Sequence, residues 1–254
     1  MEWCYAAATV IGLSHIRAGI ELQDVRHCFV LNNANSRQVF FAVVADGAGS
    51  ADFGRQGASL VCRTFASQAR KVLRDSMELP DDETIWSWLD LTRDRIQMAA
   101  KKRELTARDF ATTLVLIIAS PEAIITAHIG DGAIVARNRE RASWHVLSKP
   151  HHGEYASTTY FVTDDPQPAM RIGRHINQFN CLAVFSDGIE NLVLDSVTCE
   201  ASASFFTPMA KPLDASAVTG KDRALSRHLA TFLASDRLNE RTDDDKTLIV
   251  AVLK

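Results

Sequence analysis

Three aspartates in this sequence stand at the ends of apolar runs of the kind that form buried β-strands. They are Asp46 in FFAVVADGAGS, Asp131 in IITAHIGDG and Asp187 in CLAVFSDG, and a glycine follows each of them. A carboxylate in such a place costs free energy unless a cation or several hydrogen-bond donors meet it, and a glycine lets backbone approach closely. The pattern therefore predicts a metal or phosphate site.

An Asp-Gly pair is also the preferred two-residue turn of a β-hairpin. Asp131-Gly132 joins two strand-like runs directly, so a turn and a ligand role explain this pair equally well. Asp46 and Asp187 lead instead towards a loop or a helix, which a hairpin turn does not explain. The ligand role is favoured for these two aspartates.

A further acidic cluster, Asp243-Asp244-Asp245, precedes the last apolar run of the chain. In an antiparallel sheet the end of one strand neighbours the start of the next, so Asp244 can share an edge with Asp46 and Asp187. Carboxylates brought together repel one another unless divalent cations neutralise them. Because all these ligands are oxygens, the sequence predicts Mg²⁺ or Mn²⁺ rather than zinc.

The elements that would position these residues can be read from hydrophobic periodicity. Strands are expected over residues 3–10, 27–31, 39–45, 113–119, 123–129, 133–137, 144–147, 160–163, 181–186 and 246–253, and helices over 56–74, 82–102 and 222–234. Residues 11–24 are expected to form a turn, 32–36 a hairpin connection and 164–180 an irregular segment, while 192–212 has no clear pattern. Asp24 would lie just before the first strand of the hairpin, and Asp46 just after the second. This order predicts packed sheets with helices outside.

Length and composition narrow the class of protein. The chain has 254 residues, 46% of them hydrophobic, so we expect one domain over residues 1–254 with a sizeable core. A net charge of -3 does not suggest nucleic acid or an anionic membrane as the partner. The five cysteines lack a C-x-x-C pair, and the apolar N-terminal stretch is short and begins with Glu2, so a cytoplasmic protein with reduced thiols is expected.

Six short motifs in order along the chain resemble the metal-dependent Ser/Thr protein phosphatases of type 2C, in particular their bacterial branch. The motifs are Gly12-x-x-His15 with Gln23-Asp24, VVADGAGS at 43–50, FATTL at 110–114, IGDG at 129–132, FSDGIENL at 185–192 and DDKTLIV at 244–250. They cover nearly the whole chain. The resemblance implies an α+β fold, a four-layer α-β-β-α sandwich with two antiparallel sheets packed face to face and helix pairs outside.

The resemblance also implies a site for two ions, Mn²⁺ or Mg²⁺, at one end of the sandwich. Asp46 would bridge both ions, and Asp187 and Asp244 would complete the shell of one. The Gly47 carbonyl and Asp24 would serve the other. A metal-activated water would then attack the phosphorus of phosphoserine or phosphothreonine without a covalent phosphoenzyme.

Several positions depart from the family's pattern. Gln23 stands where members with an acidic pair have Glu, so Asp24 alone offers a carboxylate in the first turn. Ala48 stands where eukaryotic members often have a histidine, which bacterial members commonly lack. Gly19 occupies the place of a phosphate-gripping arginine, and Arg17 is the substitute that the resemblance suggests.

A third metal would use Asp131. Relatives with such a site often have Asp four residues after the position of Asp187, and this chain has Asn191 there. The third ion is therefore a weaker expectation than the first two.

The histidines near these motifs have two readings. His15 either donates a proton to the leaving oxygen or fixes its loop by hydrogen bonds, and the second role is favoured. His151 and His152 are expected on a loop surface rather than as ligands.

The leading hypothesis is a bacterial-type protein phosphatase that acts on a phosphorylated protein and opposes a cognate Ser/Thr kinase. Gln23 and Gly19 favour an alternative, a phosphatase-like regulatory or binding module with weak or no catalysis. A third reading is a metal-dependent hydrolase of small phosphate esters. The physiological substrate and the oligomeric state stay open.

Overall fold

The computed structural model describes residues 1–32, 37–75, 78–151 and 159–254. The strands in these ranges are β1 (Trp3–Val10), β2 (Val25–Asn32), β3 (Gln38–Ala45), β4 (Leu114–Ala119), β5 (Ala123–Ile129), β6 (Ala133–Asn138), β7 (Trp144–Ser148), β8 (Arg171–Ile176), β9 (Phe179–Phe185), β10 (Gly220–Lys221) and β11 (Lys246–Leu253). The helices are α1 (Leu13–Ala18), α2 (Gly54–Asp75), α3 (Asp82–Lys101), α4 (Glu190–Val193), α5 (Ala203–Ala215), α6 (Arg223–Leu233) and α7 (Asp236–Asn239).

The strands form two sheets. One sheet has six strands in the order β10-β1-β11-β9-β6-β7, and the other has five in the order β2-β3-β4-β5-β8. Neighbouring strands are antiparallel, except that the short β10 runs parallel to β1. Strand β1 pairs with β11 over its whole length, from Trp3 opposite Leu253 to Val10 opposite Lys246.

Alternation along β3 shows how the sheets stack. Phe40, Ala42 and Val44 pack in a core between the two sheets, whereas Phe41 and Val43 pack in a second core beneath α2 and α3. All five side chains are buried. Because successive residues of a strand point to opposite faces, β3 contributes to two cores at once.

Helix α2 covers the outer face of the five-stranded sheet with a stripe at helical spacing. The members of the stripe are buried side chains: Ala58, Val61, Cys62, Phe65, Ala66, Ala69 and Leu73. Helix α3 packs beside α2, and its N-cap residue Asp81 accepts a hydrogen bond from the Thr84 amide at 2.8 Å, as its acidic start predicts.

A third core lies outside the six-stranded sheet, where Phe206 and Leu213 of α5 and Leu229 of α6 pack on strands β1, β9 and β11. The order is thus helices, sheet, sheet, helices. This arrangement confirms the α+β four-layer sandwich.

Three segments differ from the sequence expectation. Residues 11–24 contain α1 rather than only a turn, and residues 164–180, expected to be irregular, contain β8. Residues 160–163, expected to be a strand, are outside the named strands. Helix α1 is too short for a periodic signal, and β8 is an edge strand with polar, partly exposed residues.

Helix α5 occupies part of the segment that had no clear pattern. It contains Pro208 and Pro212, which remove backbone donors and normally argue against a helix. Its buried face with Phe206, Ala210 and Leu213 supplies the stabilisation that propensity does not.

The hairpin connection expected over 32–36 lies mostly outside the described residues, although the strands on either side pair as expected, with Asn32 opposite Gln38. Among the helices of the described ranges, none combines the length and the apolar character that crossing a bilayer requires.

Candidate metal centre

Strand pairing brings four of the predicted aspartates to one end of the sandwich. In the six-stranded sheet β9 and β11 are antiparallel, with Phe185 opposite Leu248, so Asp187 after β9 lies at the same edge as Asp244 before β11. In the five-stranded sheet Val25 pairs with Ala45, which places Asp24 and Asp46 together at the end of the hairpin. Two carboxylates therefore come from each sheet.

Asp131 reaches the same place by a different route. Strand β5 belongs to the five-stranded sheet and β6 to the six-stranded one, so Gly130-Asp131-Gly132 crosses between sheets. The hairpin-turn reading of Asp131-Gly132 is therefore wrong. Both glycines have positive φ angles, 94° at Gly130 and 81° at Gly132, which residues with a side chain rarely adopt.

Asp46, Asp131 and Asp187 each direct a carboxylate oxygen into a common space, with the three oxygens within 4.8 Å of one another. They line a cleft of about 1320 Å³, whose wall also includes Gly47 and Asp244. Four aspartates and Gly47, all expected from the sequence as ligands, thus line one cavity.

Burial makes the carboxylates of Asp46 and Asp187 hard to ionise in the absence of a cation. Burial is the main cause that raises the pKa of Asp46 well above its ordinary value, followed by the charges of Asp24, Asp187 and Asp244. Burial likewise raises the pKa of Asp187 strongly, followed by the charges of Asp131, Asp244 and Asp24. The Oδ1 atom of Asp187 is buried and has no hydrogen-bond partner among the described residues. Such an oxygen requires a cation or a proton.

Asp24 lies behind the cleft wall rather than in it. Its Oδ2 atom accepts hydrogen bonds from the hydroxyls of Ser186 and Thr247, both at 2.7 Å, whereas its buried Oδ1 has no partner in the described chain. Burial raises the pKa of Asp24 to about 7, although the two hydroxyls oppose this shift. Ser186 and Thr247 thus hold one oxygen of Asp24, and the other has no hydrogen-bond partner among the described residues.

Asp245, which the sequence reading did not single out, holds the first turn in place. Its carboxylate accepts hydrogen bonds from the amides of Gly12 at 2.7 Å and Gln23 at 2.6 Å. The Nδ1 atom of His15 lies 3.0 Å from its Oδ1. Within the acidic cluster, Asp244 therefore faces the cleft and Asp245 faces inward. Only the register of β11 distinguishes the two.

Close backbone contact fixes this acidic cluster. A Cβ atom on Gly188 would lie 1.8 Å from the carbonyl oxygen of Asp245, and one on Gly12 would lie 2.3 Å from the carbonyl carbon of Asp244. The glycines of the G-x-x-H and SDG motifs thus have a packing role as well as a place beside the site.

The backbone of Asp46 is held by two threonines of the FATTL motif. Its amide donates to Thr113 Oγ1 at 3.0 Å, and its carbonyl accepts from Thr112 Oγ1 at 2.7 Å and from the Thr113 amide at 2.9 Å. At Gly47 a Cβ atom would lie 2.3 Å from the carbonyl carbon of Gly54, so α2 begins directly against this turn. These contacts aim the Asp46 carboxylate into the cleft.

Asp131 is supported from the opposite side. The Thr159 hydroxyl donates to its Oδ2 at 2.5 Å, and His128 Nε2 lies 3.1 Å from its carbonyl oxygen. His128 is fully buried, and its Nδ1 lies 2.7 Å from the Ser148 hydroxyl. Burial lowers the pKa of His128 to about 3, so the ring is neutral and orients the Asp131 turn through hydrogen bonds.

The cleft wall contains one guanidinium group that the sequence reading missed. Arg108, in a single 3-10 turn from Ala107 to Phe110, is the only arginine or lysine among the described residues that line the cleft. Arg17 lies on the exposed side of α1 and does not line the cleft. No local signal distinguishes Arg108, because its 3-10 turn reaches the cleft wall by packing against α2 and α3.

The remaining predicted positions are placed as follows. His15, Gln23 and Ala48 line the cleft, whereas Asn191 is exposed outside it. The amide of His151 donates to the Gly130 carbonyl at 2.9 Å. His152 lies outside the described residues.

Comparisons with known proteins agree over almost the full length. The chain matches the family model described as "Protein phosphatase 2C" over residues 11–234. It is 34% identical over 254 residues to serine/threonine-protein phosphatase 3 of Escherichia coli (strain K12), covering 99% of each chain.

Solved structures share the fold. One is the crystal structure of a bacterial serine phosphatase, with a TM-score of 0.67, 15% identity, and coverage of 98% of this chain and 97% of that one. Another is the catalytic domain of the serine threonine protein phosphatase PstP in complex with two manganese ions, with a TM-score of 0.64, 19% identity, and coverage of 99% and 98%.

Proposed function

Because the chain belongs to the protein phosphatase 2C family, we propose that it is a metal-dependent phosphatase that hydrolyses phosphoserine and phosphothreonine monoesters of proteins. The observation that carries the proposal is the set of three carboxylates, from Asp46, Asp131 and Asp187, whose oxygens lie within 4.8 Å of one another in an open cleft. The similarity to a serine/threonine-protein phosphatase across both full chains supports an enzyme rather than a binding module.

The donor set fits hard divalent cations, and we propose Mn²⁺ or Mg²⁺. All candidate ligands are oxygens, and the partnerless oxygens of Asp24 and Asp187 are the atoms that a cation would satisfy. The structurally similar PstP catalytic domain binds two manganese ions, which supports two ions here. Bound cations would supply positive charge that lowers the pKa of a coordinated water and neutralises phosphate oxygens.

Ligand roles follow from placement. Asp46 is proposed as the ligand shared by two ions, because its carboxylate lies within 4.8 Å of those of Asp131 and Asp187 on one side and the charge of Asp24 also raises its pKa. Asp244 lines the cleft beside Asp187 and is proposed to share one ion with it. The Gly47 carbonyl is proposed for the other ion.

Asp131 is the residue that the sequence reading assigned to a third ion. It is in the group of three carboxylates, so a role at a third ion or in direct support of the first two is proposed from its geometry. Its Thr159 hydrogen bond leaves the second carboxylate oxygen for that role.

His15 has the connections of a proton donor that is held in place. Its Nδ1 lies 3.0 Å from the Asp245 carboxylate, and the side chain lines the cleft. This contact joins His15 to the residue that holds the first turn. We propose that the Nε2 side can pass a proton to the leaving serine or threonine oxygen.

A His15→Gln variant separates these roles. Loss of a proton donor lowers kcat for a phosphothreonine peptide far more than for p-nitrophenyl phosphate, whose leaving group needs no proton. An equal loss on both substrates would show that His15 only positions the loop.

The cysteines suggest a biological setting. Five free cysteines are consistent with a reducing cytoplasm, where a Ser/Thr kinase would generate the phosphoprotein substrate and the phosphatase would end the signal. The kinase and the substrate are left unnamed.

Phosphate release from a phosphothreonine peptide tests the proposed function. We expect turnover with added Mn²⁺ and none after complete chelation, with recovery when Mn²⁺ is restored. Activity that survives chelation would refute the metal mechanism. Turnover of p-nitrophenyl phosphate together with no turnover of any phosphopeptide would favour a hydrolase of small phosphate esters instead.

Calorimetric titration distinguishes the enzyme from the regulatory module. Two Mn²⁺ ions bound per chain with turnover support the enzyme, whereas none or one without turnover supports the module.

A further inference from the structure

A second, strongly basic groove lies between α2 and the edge strand β2. It has a volume of about 550 Å³. The polar residues that line this basic groove are His27, Arg63, Ser67, Arg70, Lys71 and Arg74. None of these residues belongs to the metal centre or its cleft.

The cations of the groove share one face of α2. Arg63, Ser67, Arg70 and Arg74 follow helical spacing, and the opposite face of the helix is the buried stripe against the sheet. Within the described parts of the chain, no carboxylate forms an ion pair with Arg63, Arg70, Lys71 or Arg74. The positive charge is therefore available to a ligand.

Arg55, at the start of the same helix, shows the contrast. Its Nε atom lies 3.3 Å from the Glu21 carboxylate, and it also donates to the Leu22 carbonyl. The first basic residue of α2 is thus neutralised by the chain itself, and those of the groove are not.

Two residues give the groove a defined shape. The guanidinium of Arg70 lies 4.1 Å from the centre of the Phe29 ring, which holds the side chain over β2. His27, two residues before Phe29 on the same face of β2, lies at the edge of the groove. Burial lowers the pKa of His27, and the charges of Arg70, Arg63 and Arg26 lower it further.

The groove is remote from the metal centre but rigidly linked to it. Helix α2 starts at Gly54, which packs against Gly47 of the cleft. At about 1.5 Å per residue, Arg63 lies roughly 14 Å and Arg74 roughly 30 Å along the helix from that point. An extended peptide of roughly six to eight residues, at about 3.3 Å each, covers a comparable distance.

We propose that the basic groove binds an acidic segment of the phosphorylated protein substrate, and so docks the substrate while its phosphoresidue occupies the metal cleft. This inference rests on the proposed phosphatase function, which it deepens by specifying the class of substrate. Charge complementarity supports this: four basic side chains of α2, from Arg63, Arg70, Lys71 and Arg74, line the groove with no acidic residue among its described lining, in a chain whose net charge is -3. Nucleic acid is disfavoured because the aromatic ring at the groove, Phe29, is buried beneath Arg70 and offers no face for base stacking.

Direct binding is measured with a fluorescein-labelled octaglutamate peptide, by fluorescence anisotropy and without added metal. We expect binding that weakens with ionic strength. The variant Arg63→Glu/Lys71→Glu should bind about tenfold more weakly, whereas the matched variant Arg223→Glu/Arg227→Glu, with the same charge change on exposed positions of α6, should bind like the wild type.

Substrate docking is measured with two phosphothreonine peptides in the presence of Mn²⁺. They are identical except that one carries an acidic segment about seven residues from the phosphothreonine. We expect a KM about tenfold lower for the acidic peptide with an unchanged kcat. The variant Arg63→Glu/Lys71→Glu should lose the lower KM for the acidic peptide and keep the wild-type kcat/KM for the peptide without the acidic segment. The variant Arg223→Glu/Arg227→Glu should keep the lower KM for the acidic peptide.

The outcomes distinguish failure of the phosphatase function from failure of the docking role. No turnover of either peptide, with octaglutamate binding intact, would refute the phosphatase function and leave the groove as an anion site. Turnover of both peptides with equal KM in the wild type would overturn the docking role. Tighter binding of single-stranded oligouridylate than of octaglutamate at the groove would overturn it in favour of nucleic acid. Thermal unfolding of all variants verifies that they are folded.

Discussion

Replacing Asp46 with Asn should change the stability of the protein in opposite directions with and without metal. Asn has the same size and keeps the backbone contacts to Thr112 and Thr113, but it does not ionise and does not bind a cation as a carboxylate does. In the metal-free protein it removes the cost of keeping Asp46 protonated against the repulsion of its neighbours. In the metal-bound protein it removes the proposed shared ligand.

The size of the first effect follows from the spacing of the carboxylates. Two charges 4.8 Å apart repel by about 3 kcal/mol at the effective dielectric constant of about 20 that suits protein sites. Protonation of a neighbour already relieves part of this, so we expect Asp46→Asn to stabilise the metal-free protein by about 1–3 kcal/mol. For a chain of 254 residues this corresponds to a rise in Tm of about 2–6 °C.

The raised pKa of Asp46 also determines how the stabilisation by Asp46→Asn changes with pH. In the folded metal-free state the raised pKa of Asp46 makes it hold a proton that the unfolded chain releases above its ordinary value of 3.8. Its contribution to the free energy of unfolding therefore falls as the pH rises from about 4 through the raised pKa. The Tm difference between the variant and the wild type in chelator should be smallest near pH 4 and should widen towards neutral pH.

With saturating Mn²⁺ the wild type should have a higher Tm than Asp46→Asn, the reverse of the order expected in chelator. A ligand at one hundred times its Kd stabilises the folded state by about 2.7 kcal/mol, which raises the wild-type Tm by about 5 °C. The variant should gain little and should lose phosphopeptide turnover. Circular dichroism melts with chelator and with Mn²⁺ supply the four Tm values.

The exposed Asp52→Asn is the matched control, since it makes the same chemical change outside the cleft. It should leave Tm and turnover unchanged in both conditions. If Asp46→Asn lowered Tm equally with chelator and with Mn²⁺, Asp46 would be a structural residue, and the reasoning from charge repulsion and metal binding would be refuted.

Three further changes probe the surroundings of the centre. Arg108→Ala should raise KM for phosphopeptides about tenfold while Arg17→Ala, outside the cleft, leaves it unchanged, and steady-state kinetics showing the reverse would support Arg17 as the phosphate-binding residue. Asp245→Asn should lower the free energy of unfolding in urea by about 2–4 kcal/mol, because two buried amides lose a charged acceptor; an unchanged midpoint would contradict this. His128→Gln should reduce the loss of stability below pH 6.5, since the folded ring, with its pKa lowered to about 3, stays neutral where the unfolded chain binds a proton. The free energy of unfolding is measured in urea at several pH values, and the same change with pH in both proteins would disprove this.

Much of the fold could be predicted because buried strands leave a strong local pattern. The bounds of β1, β5 and β11 agree with the expected ranges to the residue, and the expected helices over 56–74 and 82–102 correspond to α2 and α3. The pairing of β2 with β3 follows from their alternation and proximity in sequence. Such segments are specified by their own residues and the faces that they bury.

The elements that were missed are those whose residues do not specify them locally. Strand β8 is an edge strand with arginines and a histidine, and it exists because β5 offers it a partner. Helix α5 carries two prolines and exists because the six-stranded sheet needs a cover. Tertiary context overrides propensity in both segments.

The residues of the candidate site likewise divide into those that the sequence indicates locally and those that depend on tertiary structure. Asp46 and Asp187 could be found because an acid at the end of a buried strand is anomalous. The distinct roles of Asp244 and Asp245 could not, because they depend on a register of one residue in β11. Arg108 could not either, because its place in the cleft results from packing between elements that are far apart in sequence. The ligand assignments and the single domain over residues 1–254 stay predictions.

The pairing of β1 with β11 has a consequence for how the chain reaches its active form. These two strands join the beginning and the end of the sequence, and β11 separates β1 from β9 in the six-stranded sheet. During synthesis the hairpin of β2 and β3 can form early, but β1 must wait for β11, which is made after the other described strands. Until then its apolar residues are exposed, and contacts of such long sequence separation form slowly. Strand β11 also follows directly on Asp244 and Asp245, so the same event that closes the sheet completes the cleft, and a chain without β11 has no complete site.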